Sequence, residues 1–459
     1  MINPPRTTAS SPSDPTVAFG DAPGALPLLG HLPYLAARPL AFLDSLPAHG
    51  DVVRVRMGTR TLHVVHEPAL VRRILTDRHD FDRGGVLYDK IRAVLGNGLA
   101  TCPHAEHRRQ RRALQPAFRQ ALMARYATTM AAETEALTAR WRPGDTVDLT
   151  RETFRLTTAV AVRTLFSAGI SDRAAEHLRT ALEVLLPGVY TRVVAPVVDH
   201  VPSPARRRYR RALAVWRTGV ADIVAAYRAT GTDHEDALSL LLAARDADGR
   251  PLTDADLCDQ VATLVLAGAE TTSSTIAWAL RLLADDPDAS ARLHAEVDAV
   301  LDGRTADHTD LATLPFTTDV VREVLRLYPP AWSVTRTAVR DTTLAGRPLP
   351  AGSTVMCCLY LVHRRADLFH DPARFAPDRW TTGLVPRDAY VPFGLGATRC
   401  IGDVFGMTEA VLALATLAAR WHLTPVSTRP PRPAPRIVLS PGPLPMRLAP
   451  RRHGSAPPS

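Results

Sequence analysis

Apolar and polar positions alternate with a period of two in Val52-Val53-Arg54-Val55-Arg56-Met57 and in Leu62-His63-Val64-Val65, which predicts two strands joined by a turn at Gly58. From Pro68 the period lengthens to that of a helix and keeps it to about Leu327, with breaks near 84–105, 187–204 and 303–315. Strand-like runs return at 333–338, 343–349 and 353–360. An irregular stretch from Asp371 to Arg399 then leads into an apolar helical run from Val404 to Leu417. The pattern predicts a mainly α fold with a small β region at about 50–66 and 333–360.

Composition sharpens the picture in three ways. The chain has 459 residues, 46% hydrophobic and 22% charged, enough for a sizeable core in one large domain, expected over 23–450. Residues 1–22, rich in Pro, Ser and Thr, read as a disordered leader, and 451–459 as a disordered tail. No apolar run reaches the roughly 18 residues of a spanning helix, and the N-terminus lacks the apolar middle of a signal peptide. The five cysteines show neither zinc spacing nor a disulfide framework, so a protein of the reducing cytoplasm is expected.

Net charge is +9, and Lys90 is the only lysine, so nearly all positive charge is arginine. That balance suits nucleic acid, an anionic membrane surface or an acidic protein partner. No nucleic-acid-binding pattern is present, and runs such as Arg206-Arg207-Arg208 read as solvated helix faces.

Candidate chemistry concentrates in three places. Pro392–Gly402 sets Cys400 in a glycine-rich loop just before a helix. Taken alone, that thiol fits either a small buried cysteine or an iron-ligating sulfur favoured by the helix N-terminus. Gly394 and Gly396 suit a tight turn, and Gly402 is expected to leave room for a flat cofactor. Within the apolar run Leu257–Leu283, Glu270 and Thr271 interrupt a buried helix. They read either as a proton relay or as a back-bonded threonine beside a surface carboxylate. Gly268 would let that helix bend or admit a ligand. Finally, Glu323 and Arg326 sit three apart at the end of an apolar helix that runs into Tyr-Pro-Pro.

Together these residues resemble the cytochrome P450 family. Phe393, Gly396, Cys400 and Gly402 match its F-x-x-G-x-[RH]-x-C-x-G loop, with Thr398 where a basic residue is usual. Ala267–Thr272 matches [AG]-G-x-[DE]-T-[TS], and Glu323–Arg326 matches ExxR. The resemblance, spanning about Pro23 to Leu448, implies the P450 fold, a triangular helical prism with haem b (iron protoporphyrin IX) between the central helix and the cysteine-loop helix. It implies Cys400 as metal ligand, with Phe393, Gly394 and Gly402 beside the haem. Arg111, Arg336 and His107 (where tryptophan is usual) would hold its propionates. Glu270 and Thr271 become catalytic, and Glu323, Arg326 and Arg379 become a structural brace.

The implied activity is insertion of oxygen from O₂ into an unactivated C–H bond of an apolar small molecule. Ferredoxin and ferredoxin reductase would supply electrons to a monomeric enzyme, docking on a basic face that includes Arg399. Recognition loops offer Val86, Leu87 and Tyr88, then Leu186, Val189 and Tyr190, and finally Leu266, Ala267 and Trp332. This apolar supply suits a hydrocarbon-like ligand. The whole chain resembles actinomycete family members that oxidise terpenes, which points to a pentalenene-like sesquiterpene in secondary metabolism. Fatty acids and macrolides stay open as substrates, and a peroxide-driven peroxygenase or a non-catalytic haem protein as other classes.

Overall fold

The computed structural model describes residues 17–166, 172–230, 236–245, 249–383, 385 and 389–451. Strands Val52–Met57 and Arg60–Val65 pair antiparallel around Gly58, whose φ of 64° is open to glycine at little cost. Arg60–Val65 then runs parallel to Thr354–Cys357, which pairs antiparallel with Val334–Ala338. Two sequence-distant β regions thus become one sheet. Its edges are Phe81–Asp82 and Phe19–Asp21, the latter parallel to Val52–Met57. Residues 19–21 are therefore a strand and not part of a disordered leader; 1–16 and 452–459 lie outside the described residues. Arg451, assigned to the tail, is anchored by its ion pair with Asp298 at 2.7 Å.

Three other expectations are corrected. The run 353–360 is strand only to Cys357, and Leu359–Val362 forms a helical turn with all four side chains buried. An apolar run without polar interruption does not reveal its period. The break at 84–105 holds the helix Val86–Leu95, bounded by Gly85 (φ 93°) and Gly96 (φ 66°). The break at 187–204 begins too early, because helix Asp172–Val194 continues through Pro187. A second sheet, Trp421–Pro425 with Pro445–Pro450 and Thr146–Asp148, was missed although its two longer strands alternate buried and exposed side chains, because prolines at their ends read as breaks.

The core is organised around the central helix, Asp254–Asp285, opened by a Thr253–Asp256 capping box. Helix Leu149–Leu165 grips it through hydroxyls: Thr157 donates to the Ala269 carbonyl at 2.6 Å, and Thr153 and Ser273 share a bond at 3.0 Å. A Cβ on Gly268 would stand 3.1 Å from the Ala161 Cβ, so this glycine permits close helix packing as well as facing the cavity. The cysteine-loop helix, Asp403–Arg420, also packs on the central helix, near Thr272, and is buried along most of its length. Among the described residues, no helix is long and apolar enough to cross a membrane.

Candidate active site

A cavity of about 330 Å³ lies between the central helix and the cysteine loop. The helix contributes Thr263, Leu264, Ala267, Gly268, Thr271, Thr272 and Thr275, residues three and four apart on one face. The loop contributes Phe393, Gly394 and Cys400. Gly394 (φ 71°) and Gly396 (φ 62°) turn the chain, and the Cys400 N–H donates to the Phe393 carbonyl at 2.8 Å, holding the loop closed. Cys400 is open to solvent while remaining surrounded by protein, as a residue on a cavity wall must be. Burial raises its thiol pKa; the Gly402 N–H and the Arg111 and Arg399 charges oppose this without prevailing. The helix terminus alone therefore does not hold the sulfur as a thiolate, whereas a coordinating metal would deprotonate it. Gly402 also lines the cavity, and a Cβ there would stand 3.4 Å from the Phe118 ring, an ordinary contact.

Cations gather at one end of the cavity. Arg336 is buried on its strand; Nη1 donates to the Thr335 carbonyl at 2.9 Å, Nη2 to Thr398 Oγ1 at 3.3 Å, and buried Nε has no partner. Arg111, on helix His104–Leu114, donates from Nη1 to the Arg399 carbonyl at 2.6 Å. Arg83, which the sequence reading passed over, also lines this end, with Nη1 on the Leu99 and Cys102 carbonyls at 2.8 and 3.0 Å. Burial lowers its pKa. His107 beside them is pushed down to about 3 by burial and then by Arg83 and Arg111, so it stays neutral. Three cations without a bonded carboxylate, one with an orphaned N–H, suit a ligand carrying carboxylates. The donor set fits haem: a thiol on one wall and carboxylate partners at one end.

Glu270 and Thr271 leave the helix about 100° apart, and only Thr271 lines the cavity. Its Oγ1 donates to the Ala267 carbonyl at 2.6 Å, leaving the oxygen free to accept. Glu270 instead shares a helix face with Ser274 and Trp278, which donate to the Leu439 carbonyl at 2.7 and 3.3 Å. Burial pushes its carboxyl up to about 8, opposed by Arg436, and Oε2 is unbonded. A direct Glu270–Thr271 contact is thus replaced by two separate groups. Glu409, on the cysteine-loop helix, was also missed; burial raises its carboxyl pKa well above normal, with the neighbouring Thr272 hydroxyl opposing this. Nothing in its apolar surroundings in the sequence marks it except its own charge.

The brace assembles fully. Glu323 and Arg326, both fully buried, form two bonds at 2.8 and 2.9 Å. Arg379 Nε reaches Glu323 at 3.1 Å, joined by Trp380 Nε1 at 3.1 Å and the Ala376 N–H at 3.0 Å. Arg326 also holds the His363 carbonyl at 2.9 Å, and the His363 ring accepts from the Val391 N–H at 3.1 Å. Val391 directly precedes Pro392, so the brace bears on the cysteine loop.

Of the residues expected on the substrate wall, Tyr88 and Ala267 line the cavity. Leu186, Val189 and Leu266 pack in a core cluster with helix Pro204–Thr230, and Leu87 packs against it. Tyr190 donates its hydroxyl to the Leu35 carbonyl at 3.0 Å, and Trp332 Nε1 donates to the Arg436 carbonyl at 3.0 Å; neither lines the cavity. Val86 opens its helix, half-buried, without lining the cavity. Helical periodicity finds the apolar face but not which apolar residues meet a void. Arg399 pairs with Asp403 at 2.6 Å on the surface, which weakens it as a docking charge.

The sequence matches the cytochrome P450 family over residues 21–447. It is 41% identical to pentalenene oxygenase of Streptomyces avermitilis over 447 residues, covering 96% of this chain and 100% of that protein. It is 43% identical over 449 residues to cyclooctat-9-en-7-ol 5-monooxygenase of Streptomyces melanosporofaciens, covering 96% of this chain and 98% of that protein. Cyclooctatin synthase of the same organism is 43% identical over 451 residues, covering 97% and 98%.

Proposed function

Because the chain belongs to the cytochrome P450 family, whose members are haem-thiolate monooxygenases, we propose that it hydroxylates a pentalenene-like sesquiterpene or a related polycyclic terpene. The observation that carries this reading is the pairing of Cys400 and Thr271 on different walls of one largely apolar cavity. Bound haem would supply the iron at which O₂ is reduced for C–H oxidation. Cys400 Sγ would hold the iron, and Arg83, Arg111 and Arg336 the carboxylates, with neutral His107 as a further donor.

The protein's own groups then have separate tasks. Leu264, Ala267 and Val334 exclude water and position an apolar substrate. Thr271 Oγ1, whose own O–H donates to the Ala267 carbonyl, would accept a hydrogen bond from a protonated oxygen or water in the cavity. Glu270 holds a proton up to about pH 8 and would release it toward Thr271 through water or by swinging its side chain. Electrons would come from ferredoxin and its reductase in the cytoplasm, docked against exposed Arg108 and Arg112 on the helix that bears Arg111.

The test is a spectral-shift screen of terpenes on the haem-loaded protein, followed by mass spectrometry of products with ferredoxin and reductase. Hydroxylated terpene is expected. Reduced, carbon monoxide-treated protein without a thiolate-type Soret band would overturn the assignment of Cys400.

A further inference from the structure

A second cavity, of about 680 Å³, lies between helix His104–Leu114, the C-terminal half of helix Ala237–Ala243 and the first two turns of the central helix. Its size falls within the roughly 300–1,000 Å³ usual for small-molecule sites. It shares no lining residue with the active-site cavity. Its apolar lining is aliphatic: Ala105, Ala113, Leu240, Leu241 and Leu252. Two amides also line it, Gln110 and Gln260. Gln260 donates to Gln110 Oε1 at 2.9 Å and accepts from the Leu99 N–H at 3.1 Å, and Gln110 Nε2 donates to the Asn97 carbonyl at 2.8 Å. Both amides are thus engaged within the protein.

Cations line this cavity from two elements. Arg108 and Arg112 stand one turn apart on a helix face, with Arg109 beside them, and Arg245 follows helix Ala237–Ala243. Among the described residues Arg108 and Arg112 have no carboxylate partner, and Arg109 has only Glu106 at 3.9 Å. Arg245 Nη1 donates to the Leu242, Ala243 and Ala244 carbonyls at 3.0, 2.9 and 2.9 Å, which fixes the guanidinium at the helix end without neutralising it. The acid among the lining residues, Asp256, accepts from the Thr253 N–H and hydroxyl at 3.1 and 2.7 Å. Four cations therefore face one carboxylate.

We infer that this second cavity binds an aliphatic diphosphate, its phosphates on the arginines and its hydrocarbon chain along Leu240, Leu241 and Leu252. Guanidinium groups match phosphate oxygens two bonds at a time. A hydrocarbon chain makes no demand on the engaged amides. A nucleotide would bring a base that meets neither an aromatic ring nor a free amide among the lining residues. An acidic protein would use exposed Arg108 and Arg112 and leave the leucine wall empty. Isoprenoid diphosphates have this chemistry, and cyclisation with loss of diphosphate is the class of reaction that would supply a terpene hydrocarbon. A bound diphosphate would also cover Arg108 and Arg112 and so compete with ferredoxin. That link to the enzyme rests on the substrate and docking proposed above; binding itself does not.

Calorimetric titration of the haem-loaded protein with farnesyl diphosphate tests this, with inorganic pyrophosphate and ATP as comparisons. Farnesyl diphosphate should bind about tenfold or more tightly than either, without the spectral shift of a ligand beside the haem. Ala105→Glu sets an acid one turn from Arg109, and the double variant Arg109→Gln, Arg245→Gln removes two cations. Each should weaken binding about tenfold while keeping the wild-type carbon monoxide spectrum, which reports an intact fold. No binding would overturn the proposal, as would wild-type affinity in both variants. Equal binding of ATP or pyrophosphate would overturn it too, since charge alone would then suffice. A haem spectral shift that tracks binding would place the ligand in the active site instead. With farnesyl diphosphate bound, the KM for ferredoxin should rise several-fold at unchanged kcat. Binding that leaves this KM unchanged would support the diphosphate site and overturn ferredoxin docking on Arg108 and Arg112.

Discussion

Arg336 reaches the cysteine loop directly, Nη2 donating to Thr398 Oγ1 at 3.3 Å. The position where the family usually places a cation thus carries an acceptor for a cation on the neighbouring strand. Arg83 adds positive charge from a third direction. Positive charge at this end of the cavity therefore comes from Arg83, Arg111 and Arg336, on a loop, a helix and a strand.

Haem retention should follow that distribution. Arg83→Gln and Arg336→Gln are each expected to speed haem transfer to apomyoglobin about tenfold or more, since a charged hydrogen bond contributes roughly 1.5–3 kcal/mol. Thr398→Val, which removes one long bond, should change the rate less than about threefold. A larger effect for Thr398→Val than for Arg83→Gln would refute the arrangement.

Breaking the brace should be far more costly than its surface analogue. Glu323→Ala leaves Arg326 buried without its carboxylate, a loss of about 3–5 kcal/mol. Removing Asp378 from its exposed pair with Arg292 should cost under about 1 kcal/mol. Denaturant unfolding of both variants measures the contrast, and comparable losses would contradict it.

Glu270 makes stability pH-dependent. Its carboxyl is raised to about 8 in the folded protein, so folded protein binds this proton more tightly than unfolded chain. The stabilisation is fully present below the unfolded pKa, near 4.5, and is lost as pH rises toward 8, at roughly 1.4 kcal/mol per unit for an ideal isolated group. Glu270→Gln should flatten that slope, overtaking wild type in melting temperature at pH 8 but not at pH 5. Parallel profiles for the two proteins would show that Glu270 does not titrate in this window.

Thr271→Ala removes the one hydroxyl that both back-bonds to Ala267 and faces the cavity beside it. Product formed per electron pair consumed should fall about fivefold or more with little change in stability, as expected for a group that places a proton. Stopped coupling measurements with oxygen uptake and product quantified together would decide it. Unchanged coupling removes Thr271 from proton delivery.

Wall and core positions should separate cleanly. Ala267→Leu fills cavity space and should weaken terpene spectral binding by about tenfold, in line with an overpacking cost of roughly 1–3 kcal/mol. Leu186→Ala should leave that binding near wild type while lowering stability by about 2–5 kcal/mol. Reversed effects would place Leu186 on the substrate wall.

The sequence by itself determined the mainly helical class, the strands at 52–57 and 62–65, the buried helix around Glu270 and the glycine loop around Cys400. These are local: a period, a turn that needs positive φ, a short motif at fixed spacing. Glu323, Arg326 and Arg379 were legible only through their resemblance to a family, because an i, i+3 pair looks the same on any helix surface. Tertiary structure decided the rest. It joined Arg60–Val65 to Thr354–Cys357, turned Glu270 away from Thr271 and brought Arg83 beside Arg336. It sent Leu186, Val189 and Trp332 into the core. Which apolar side chain meets a void, and which cation lacks a counter-charge, depends on neighbours far along the chain that no local pattern encodes.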